Sequence, residues 1–522
     1  MASVPRSWMT KRRFDRSDRN SDGEPQGGWP RRDFLGASST AIMALAAGAC
    51  TSSGDQGESA ETGESGSEEP GERIDFDAAS IPESLDLFPR TPIAGEMKTK
   101  SFFVSGFVAL DALPEGHEVV ARVWQDTENP GEVFSIAEAT VVPDARGFFK
   151  LAVDGLRGGE WYQYGVFTTD GVSLVARGLI GRVRTAHEAG VAEPVRVALA
   201  ACIGRGILPE YVDPADPQPV EVWDTMLRAS EQEYDLLIHL GDQGYMDQVY
   251  DAGGSLDDYL NAWGAYHGGG YRQVYPRSGL YFTWDDHEVT NNGTVNPWTT
   301  DPVERERIAN AQLAYYTVMP IDAAQPGVDP LWRSFRWGDT VEFIVLDCRS
   351  ERSAPEDGTY IGQAQYDFLV DRLQNSPCKF KCVVNSVPFA RLNVPSDAPL
   401  FEQLVDPKDR WEGYVSQRAS IQALVSEQAL SNIVWVTGDV HMCYLGQVEG
   451  DPVDAGSSMW EVCVTSGNTN PLASELPEPQ FAWKSQEAHL PLVTFDPEND
   501  RVRVEFIDTD GNLAFSRDLE FG

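Results

Sequence analysis

Four apolar runs in this chain stop at residues that could do chemistry. VALAA ends at Cys202, and LLIHLG at Asp242 with Tyr245 three residues on. LYFTW ends at Asp285, Asp286 and His287, and IVWVTG at Asp439 with His441 two residues on. One such ending is ordinary, because Asp caps helices and fills turns. Four make a pattern. If the runs are strands sharing one sheet edge, their ends converge, and so many carboxylates cannot all stay ionised without cations between them. Asp242, Asp286 and Asp439 would supply hard oxygens and His441 an imidazole. Cys202 would add a thiolate and Tyr245 a phenolate, both favoured as anions only beside a strong Lewis acid. His287 need not be a ligand, and an imidazolium beside such a cluster can protonate a leaving group. Asp285 reads as a partner of the ligands rather than a ligand. His239, inside its run, reads as a core or supporting histidine.

The elements that must position these residues follow from the rhythm of the sequence. From about residue 98 to 185, FFVSGFVAL, EVVARVWQ, GFFKLAV and YQYGVFTT alternate apolar and polar residues between Gly, Pro and Asp. That pattern predicts a small β-sandwich, and it carries no cluster of titratable groups. After Glu193-Pro194 the rhythm changes. VRVALAA, DLLIHLG, LYFTW, VEFIVLD, KCVVNSV, IVWVTG and MWEVCVTS alternate with helical stretches such as VERERIANAQLAYYTV, QAQYDFLVDRLQ and RASIQALVSEQAL. Several of these strands are apolar on both faces, as buried sheet strands are. The alternation predicts an α/β domain with helices outside a sheet core, whose chemistry sits in loops beyond the strand ends.

At these residues the sequence resembles a known family. HLGD (239–242), WDDHEVTNN (284–292) and TGDVH (437–441) are similar to motifs of the alkaline phosphatase D (PhoD-like) family of calcineurin-like metallophosphoesterases. LDCRS (346–350) and WEGY with Arg418 resemble two further segments of that family. The resemblance implies a four-layer α-β-β-α metallophosphoesterase sandwich preceded by a small N-terminal β-sandwich domain. It implies one ferric ion, held in part by Cys202, Asp242 and Tyr245, with calcium ions beside it. Departures from the wider metallophosphoesterase pattern agree with that ion set. A strand ending in Cys202 replaces DxH, Asp286 stands where GNH has Asn, Ser386-Val387-Pro388 lacks the usual His, and Asp439 replaces the first His of GHxH. These changes remove imidazoles and add carboxylates or a thiolate, and carboxylate-rich sites favour hard ions such as calcium. AACIG and GDQGYMD differ from the family's ASCQ and GDYIYE, which leaves the substrate contacts open.

The expected activity is hydrolysis of a phosphate ester. Asp242 would bridge the ions, and Asp286 and Asp439 would complete the calcium side with Asn291 or Asn292. His441 would be a ligand, and His287 would protonate the departing alkoxide. Arg349 reads either as a phosphate clamp or as the partner of Asp347. Two alternatives stay open: a phosphodiesterase or phospholipase D-like activity, and a non-enzymatic calcium-binding surface module.

Composition and the N-terminus set the context. The 522 residues carry 41 Lys+Arg against 81 Asp+Glu, a net charge of −40. So acidic a chain has no general basic field for nucleic acid or an anionic membrane. Arg31-Arg32-Asp33-Phe34-Leu35 before a weakly apolar run to Ala49 resembles a twin-arginine export signal, so residues 1–50 read as a signal peptide. Ala47-Gly48-Ala49-Cys50 resembles a lipoprotein box; lipidation at Cys50 and simple secretion both stay open, and membrane contact is expected only through such an anchor. Residues 51–73, rich in Ser, Gly and Glu, read as a disordered acidic spacer. The expected domains are the sandwich at 74–190 and the catalytic domain at 191–522. The remaining six cysteines form no CxxC pair and predict no disulfide framework.

Overall fold

The computed structural model describes residues 41–44, 74–126, 132–133, 136–204, 211–221, 224–291, 299–321, 329–354, 358–392, 409–448, 458–470 and 481–521. The twin-arginine segment, Cys50, the 51–73 spacer and Asn292 lie outside these residues. Of the apolar run before Cys50, only Ala41–Ala44 is described, as a short strand parallel to Phe148–Asp154.

Two large sheets pack face to face. One runs through Leu236–His239, with Val195–Ala200 and Gly279–Phe282 parallel on either side of it. Beyond Val195–Ala200 it continues through the antiparallel strands Leu490–Asp496, Arg501–Ile507 and Leu513–Leu519. The other holds Val341–Val345, Phe380–Val384, Ile433–Thr437 and Met459–Cys463 in parallel order. Alternation along each strand divides its side chains between two cores. Val197, Leu199, Leu236, Ile238, Phe343, Val345, Val384, Val434 and Val436 fill the space between the sheets. Ala198, Ala200, Leu237, Leu280 and Phe282 face helices Leu256–Gly268 and Pro302–Val318. Ile344, Val383, Ile433 and Trp435 face helices Gln363–Asn375 and Val415–Glu427. Both faces of each central strand are therefore apolar, and the layers run helix, sheet, sheet, helix, as the resemblance implied.

The N-terminal strands pack as a sandwich. Glu118–Gln125, Ile136–Val141, Trp161–Thr169 and Leu174–Arg177 form one sheet, and Phe102–Phe107 pairs with Phe148–Asp154 in the other. That second layer is continuous with the sheet of Leu236–His239, because Ile93–Gly95 pairs with Phe102–Phe107 on one side and reaches Leu280 through Gly95 on the other. Val104, Val119, Leu151 and Val166 join the same apolar cluster as the inter-sheet core. The six described cysteines are all buried and free. No described helix is long and apolar enough to cross a membrane.

Candidate active site

The parallel strands of both sheets end on the same side, and the site is built from the turns that follow them. Four turn residues, Cys202 (φ 52), Asp242 (φ 52), Asp439 (φ 68) and His441 (φ 56), have left-handed backbone. That conformation costs a non-glycine residue about 1–2 kcal/mol, and such strain gathers where side-chain placement is over-determined by function. Here it turns each side chain back into the gap at once, without a spacer.

Cys202, Asp242, Asp285, Asp286, His287, Asp439 and His441 all meet there. One ligand atom from each of Cys202, Asp242 and His441 lies within 4.8 Å of the others; the same holds for Asp242, Asp286 and His287, and for Asp285, Asp286 and Asp439. Asp242 and Asp286 each belong to two of these groups, so the three form a chain. Tyr245 joins the first: its Oη donates to Asp242 Oδ2 at 3.3 Å and lies 3.4 Å from His441 Nε2. The structure thus brings together all eight of the residues that the strand ends singled out, Tyr245 and Asp285 included.

Arg349 resolves differently from the expected pairing. Asp347 Oδ1 accepts the backbone N–H of Arg349 and the indole of Trp284. The guanidinium reaches instead across the pocket to Asp285, to Asp409 Oδ2 at 2.7 Å, to Asp439 Oδ1 at 3.0 Å and to Asp286 Oδ1 at 3.4 Å. Arg352 supports it by binding Asp409 Oδ1 at 2.6 Å. Asn291 is exposed, and its backbone N–H donates to Asp247 Oδ1. His239 sits in the core with Nε2 3.1 Å from Tyr271 Oη.

Four further residues carry the site to which the sequence reading gave no role, although Glu288 stands in the same strand-end run as Asp285, Asp286 and His287. Asp247 Oδ2 accepts from His287 Nδ1 at 2.8 Å, and the His287 ring leans on Tyr245 with centroids 4.2 Å apart. Glu288 accepts backbone N–H groups from both neighbouring loops. Asn468 Nδ2 donates to Tyr245 Oη at 3.3 Å and lies 3.4 Å from His441 Nε2. Asp409 anchors Arg349. Asn468 follows the strand end of MWEVCVTS, so the same strand-end rule would have found it. Asp409 sits at no strand end and carried no signal.

The electrostatics fit cations. Burial pushes the Asp285 and Asp286 carboxyls up, and Asp439 to about 7, against the pull of Arg349 and, for Asp286, His287. Burial and then Asp242 push the Cys202 thiol and the Tyr245 phenol far up. Burial would raise Asp242 too, but the nearby His287 and His441 hold it at about 2. Asp285 Oδ2 is buried with no hydrogen-bond partner. Buried donors crowded at this spacing, one of them unpartnered, are what multivalent cations satisfy.

A family model described as PhoD-like phosphatase matches residues 217–512. Alkaline phosphatase D of Bacillus subtilis (strain 168) is 27% identical over 343 residues, covering 53% of this chain and 58% of that protein. The chain thus aligns with a little over half the length of that curated relative. A solved structure of PhoD aligns with a TM-score of 0.67 at 20% identity, over 84% of this chain and 93% of the other. Purple acid phosphatase PPD1 from yellow lupin (Lupinus luteus) seeds aligns with a TM-score of 0.56 at 12% identity, over 83% and 75%. At these identities both structural likenesses are of fold.

Proposed function

The chain belongs to the PhoD-like phosphatase family, and on that premise we propose that it is a metal-dependent hydrolase of phosphate esters. The observation that carries the reading is the chain of three side-chain groups joined through Asp242 and Asp286, the middle one including His287, which Asp247 holds from behind. Cys202, Asp242, Tyr245 and His441 would hold a ferric ion, and Asp286 and Asp439 would hold calcium. Bound cations would balance the carboxylates and act as Lewis acids on the phosphoryl oxygens.

The remaining chemistry belongs to the side chains. Asp247 Oδ2 accepts a hydrogen bond from His287 Nδ1–H, which fixes the tautomer and the ring plane. Nε2 is thereby turned toward the pocket, 4.0 Å from Asp286 Oδ2. From there it can hand a proton to the departing alkoxide. Tyr245 braces the ring from one side. Arg349 gathers the carboxylates of Asp285, Asp409 and Asp439 and keeps them pointed inward.

His287→Ala tests the acid. Turnover of an alkyl phosphate should fall by roughly 10²–10⁴-fold, and that of p-nitrophenyl phosphate, whose leaving group needs little protonation, by less, while metal content and fold persist. Hydrolysis of an alkyl phosphate at the wild-type rate would remove His287 from the mechanism. We also read the chain as exported by the twin-arginine route. Replacing Arg31 and Arg32 by Lys should then retain the protein inside the cell, and unchanged export would refute this.

A further inference from the structure

Glu288 is fully buried and stands outside the ligand groups. Its carboxylate accepts three backbone N–H groups. Asp242 N donates to Oε2 at 3.1 Å, Asp285 N to Oε2 at 2.7 Å, and Gln243 N to Oε1 at 2.6 Å. These donors come from two turns, one after Leu236–His239 and one after Gly279–Phe282, and those strands are parallel neighbours. One turn carries Asp242 and Tyr245; the other carries Asp285, Asp286 and His287.

The two turns pack too closely for a side chain between them. Gly241 has φ 109, and a Cβ there would come within 2.5 Å of Asp285 Cβ. Met246 N donates to His287 O at 2.8 Å, and His287 N to Asp242 Oδ1 at 3.4 Å. Asp242 holds a left-handed backbone that it would not choose alone. The N–H it gives to Glu288 is part of what holds it there. A buried carboxylate is costly unless its oxygens are satisfied, and here every acceptor it uses ties down a ligand-bearing turn.

We propose that Glu288 is a positioning residue that fastens the Asp242 turn to the Asp285–His287 turn and so sets the spacing of the ligand oxygens. This rests on the metal-dependent reading above. Glu288 need touch neither ion nor substrate; it acts through the backbones of residues that do.

Glu288→Gln keeps the side-chain shape but leaves one acceptor oxygen and sets an NH2 group against at least one backbone N–H. Calcium is titrated into metal-free protein whose near-ultraviolet circular dichroism matches wild type, and binding is read by calorimetry. Affinity should fall about tenfold or more, the usual range for losing a group that orients ligands. In iron-loaded protein at saturating calcium, kcat for p-nitrophenyl phosphate should fall while KM holds. Calcium affinity and kcat equal to wild type, with only the melting temperature lowered, would reduce Glu288 to a core residue. Should Glu288→Gln not fold, Glu288→Asp keeps the charge and retracts the carboxylate by one methylene. It should lose affinity in the same direction, and wild-type affinity would overturn the proposal.

Amide exchange on the wild type needs no variant. The N–H groups of Asp242, Gln243 and Asp285 should be protected in metal-free protein, and exchange at open-loop rates would equally overturn it. A wild type that neither binds calcium nor hydrolyses ester would sink the underlying reading. A competent wild type beside an unaltered Glu288→Gln would sink this inference alone.

Discussion

The two ends of the pocket differ in chemistry. One end gathers a thiol, an imidazole, a phenol and an amide around a single carboxylate: Cys202, His441, Tyr245 and Asn468 around Asp242. The other end is carboxylate alone, Asp285, Asp286 and Asp439, with the Arg349 guanidinium already among them. Sulfur, nitrogen and phenolate suit a strongly Lewis-acidic transition ion, and clustered carboxylates suit a hard one. Arg349 supplies one fixed positive charge at the second end, so that end depends less on bound ions for its balance. On the metal-dependent reading, one pocket would thereby be divided between ions by donor type. The difference comes from which strand ends deliver which residue, and Asp242 and Asp286 are the shared hinges.

Asp242→Asn should break the comparison outright. Asp242 belongs to the mixed group and to the middle group that links it to Asp286, so its loss should empty the mixed end and weaken ion binding at the carboxylate end through Asp286. Losing several kcal/mol of charge stabilisation corresponds to a fall in kcat/KM of roughly 10³-fold or more. Metal analysis should find both the transition ion and calcium depleted. Asp439→Asn, which touches only the carboxylate end, should lose calcium while keeping the transition ion. If the two variants lose the same metals to the same extent, the ends are not separate.

Tyr245→Phe sharpens the distinction from the other side. If the mixed end holds ferric iron, phenolate or thiolate ligation should give purified wild type a visible charge-transfer band. The Phe variant should shift or lose that band and leave calcium content unchanged. A band unmoved in Tyr245→Phe would take the phenol out of the ligand set and leave Cys202 as the source.

The four strand ends were legible because parallel strands buried on both faces read as unbroken apolar runs, and the polar residue after each marks the sheet edge. The helices at Pro302–Val318 and Gln363–Asn375 followed from their periodicity in the same way. What the sequence hid depends on pairing across distance. Arg349 read equally as a phosphate clamp or as a partner for Asp347 two residues away; the turn after Val341–Val345 spends Asp347 on backbone and Trp284, and releases the guanidinium into the pocket. Asp409 finds Arg349 across a separation of 60 residues. The bond between Gly95 and the catalytic sheet is a single register pair with no composition signal at all.

A carboxylate outside the pocket supplies the control for the comparison. Glu461, in Met459–Cys463, is fully buried, and burial pushes it from 4.5 to about 7, as it pushes Asp439 to about 7. Its surroundings are different: the hydroxyl of Tyr444 and the backbone N–H groups of Phe389 and Ala390 donate to it, and Arg418 adds a more distant positive charge. It needs no ion, so its titration should appear in stability rather than in metal binding. The sign follows from the raised value. The folded protein holds this proton more tightly than the unfolded chain, so the contribution is complete below pH 4.5 and is lost as pH rises through 7. A shift of this size corresponds to about 3 kcal/mol at most. Glu461→Gln should remove that dependence. In urea unfolding, the variant should gain on wild type by up to about 3 kcal/mol between roughly pH 4.5 and 8, with calcium affinity unchanged. A wild-type-minus-variant difference that stays flat across that range would show Glu461 ionised throughout. Burial alone would then no longer suffice to raise a carboxyl in this fold, and any upward shift of Asp285, Asp286 and Asp439 would have to come from their neighbouring charges.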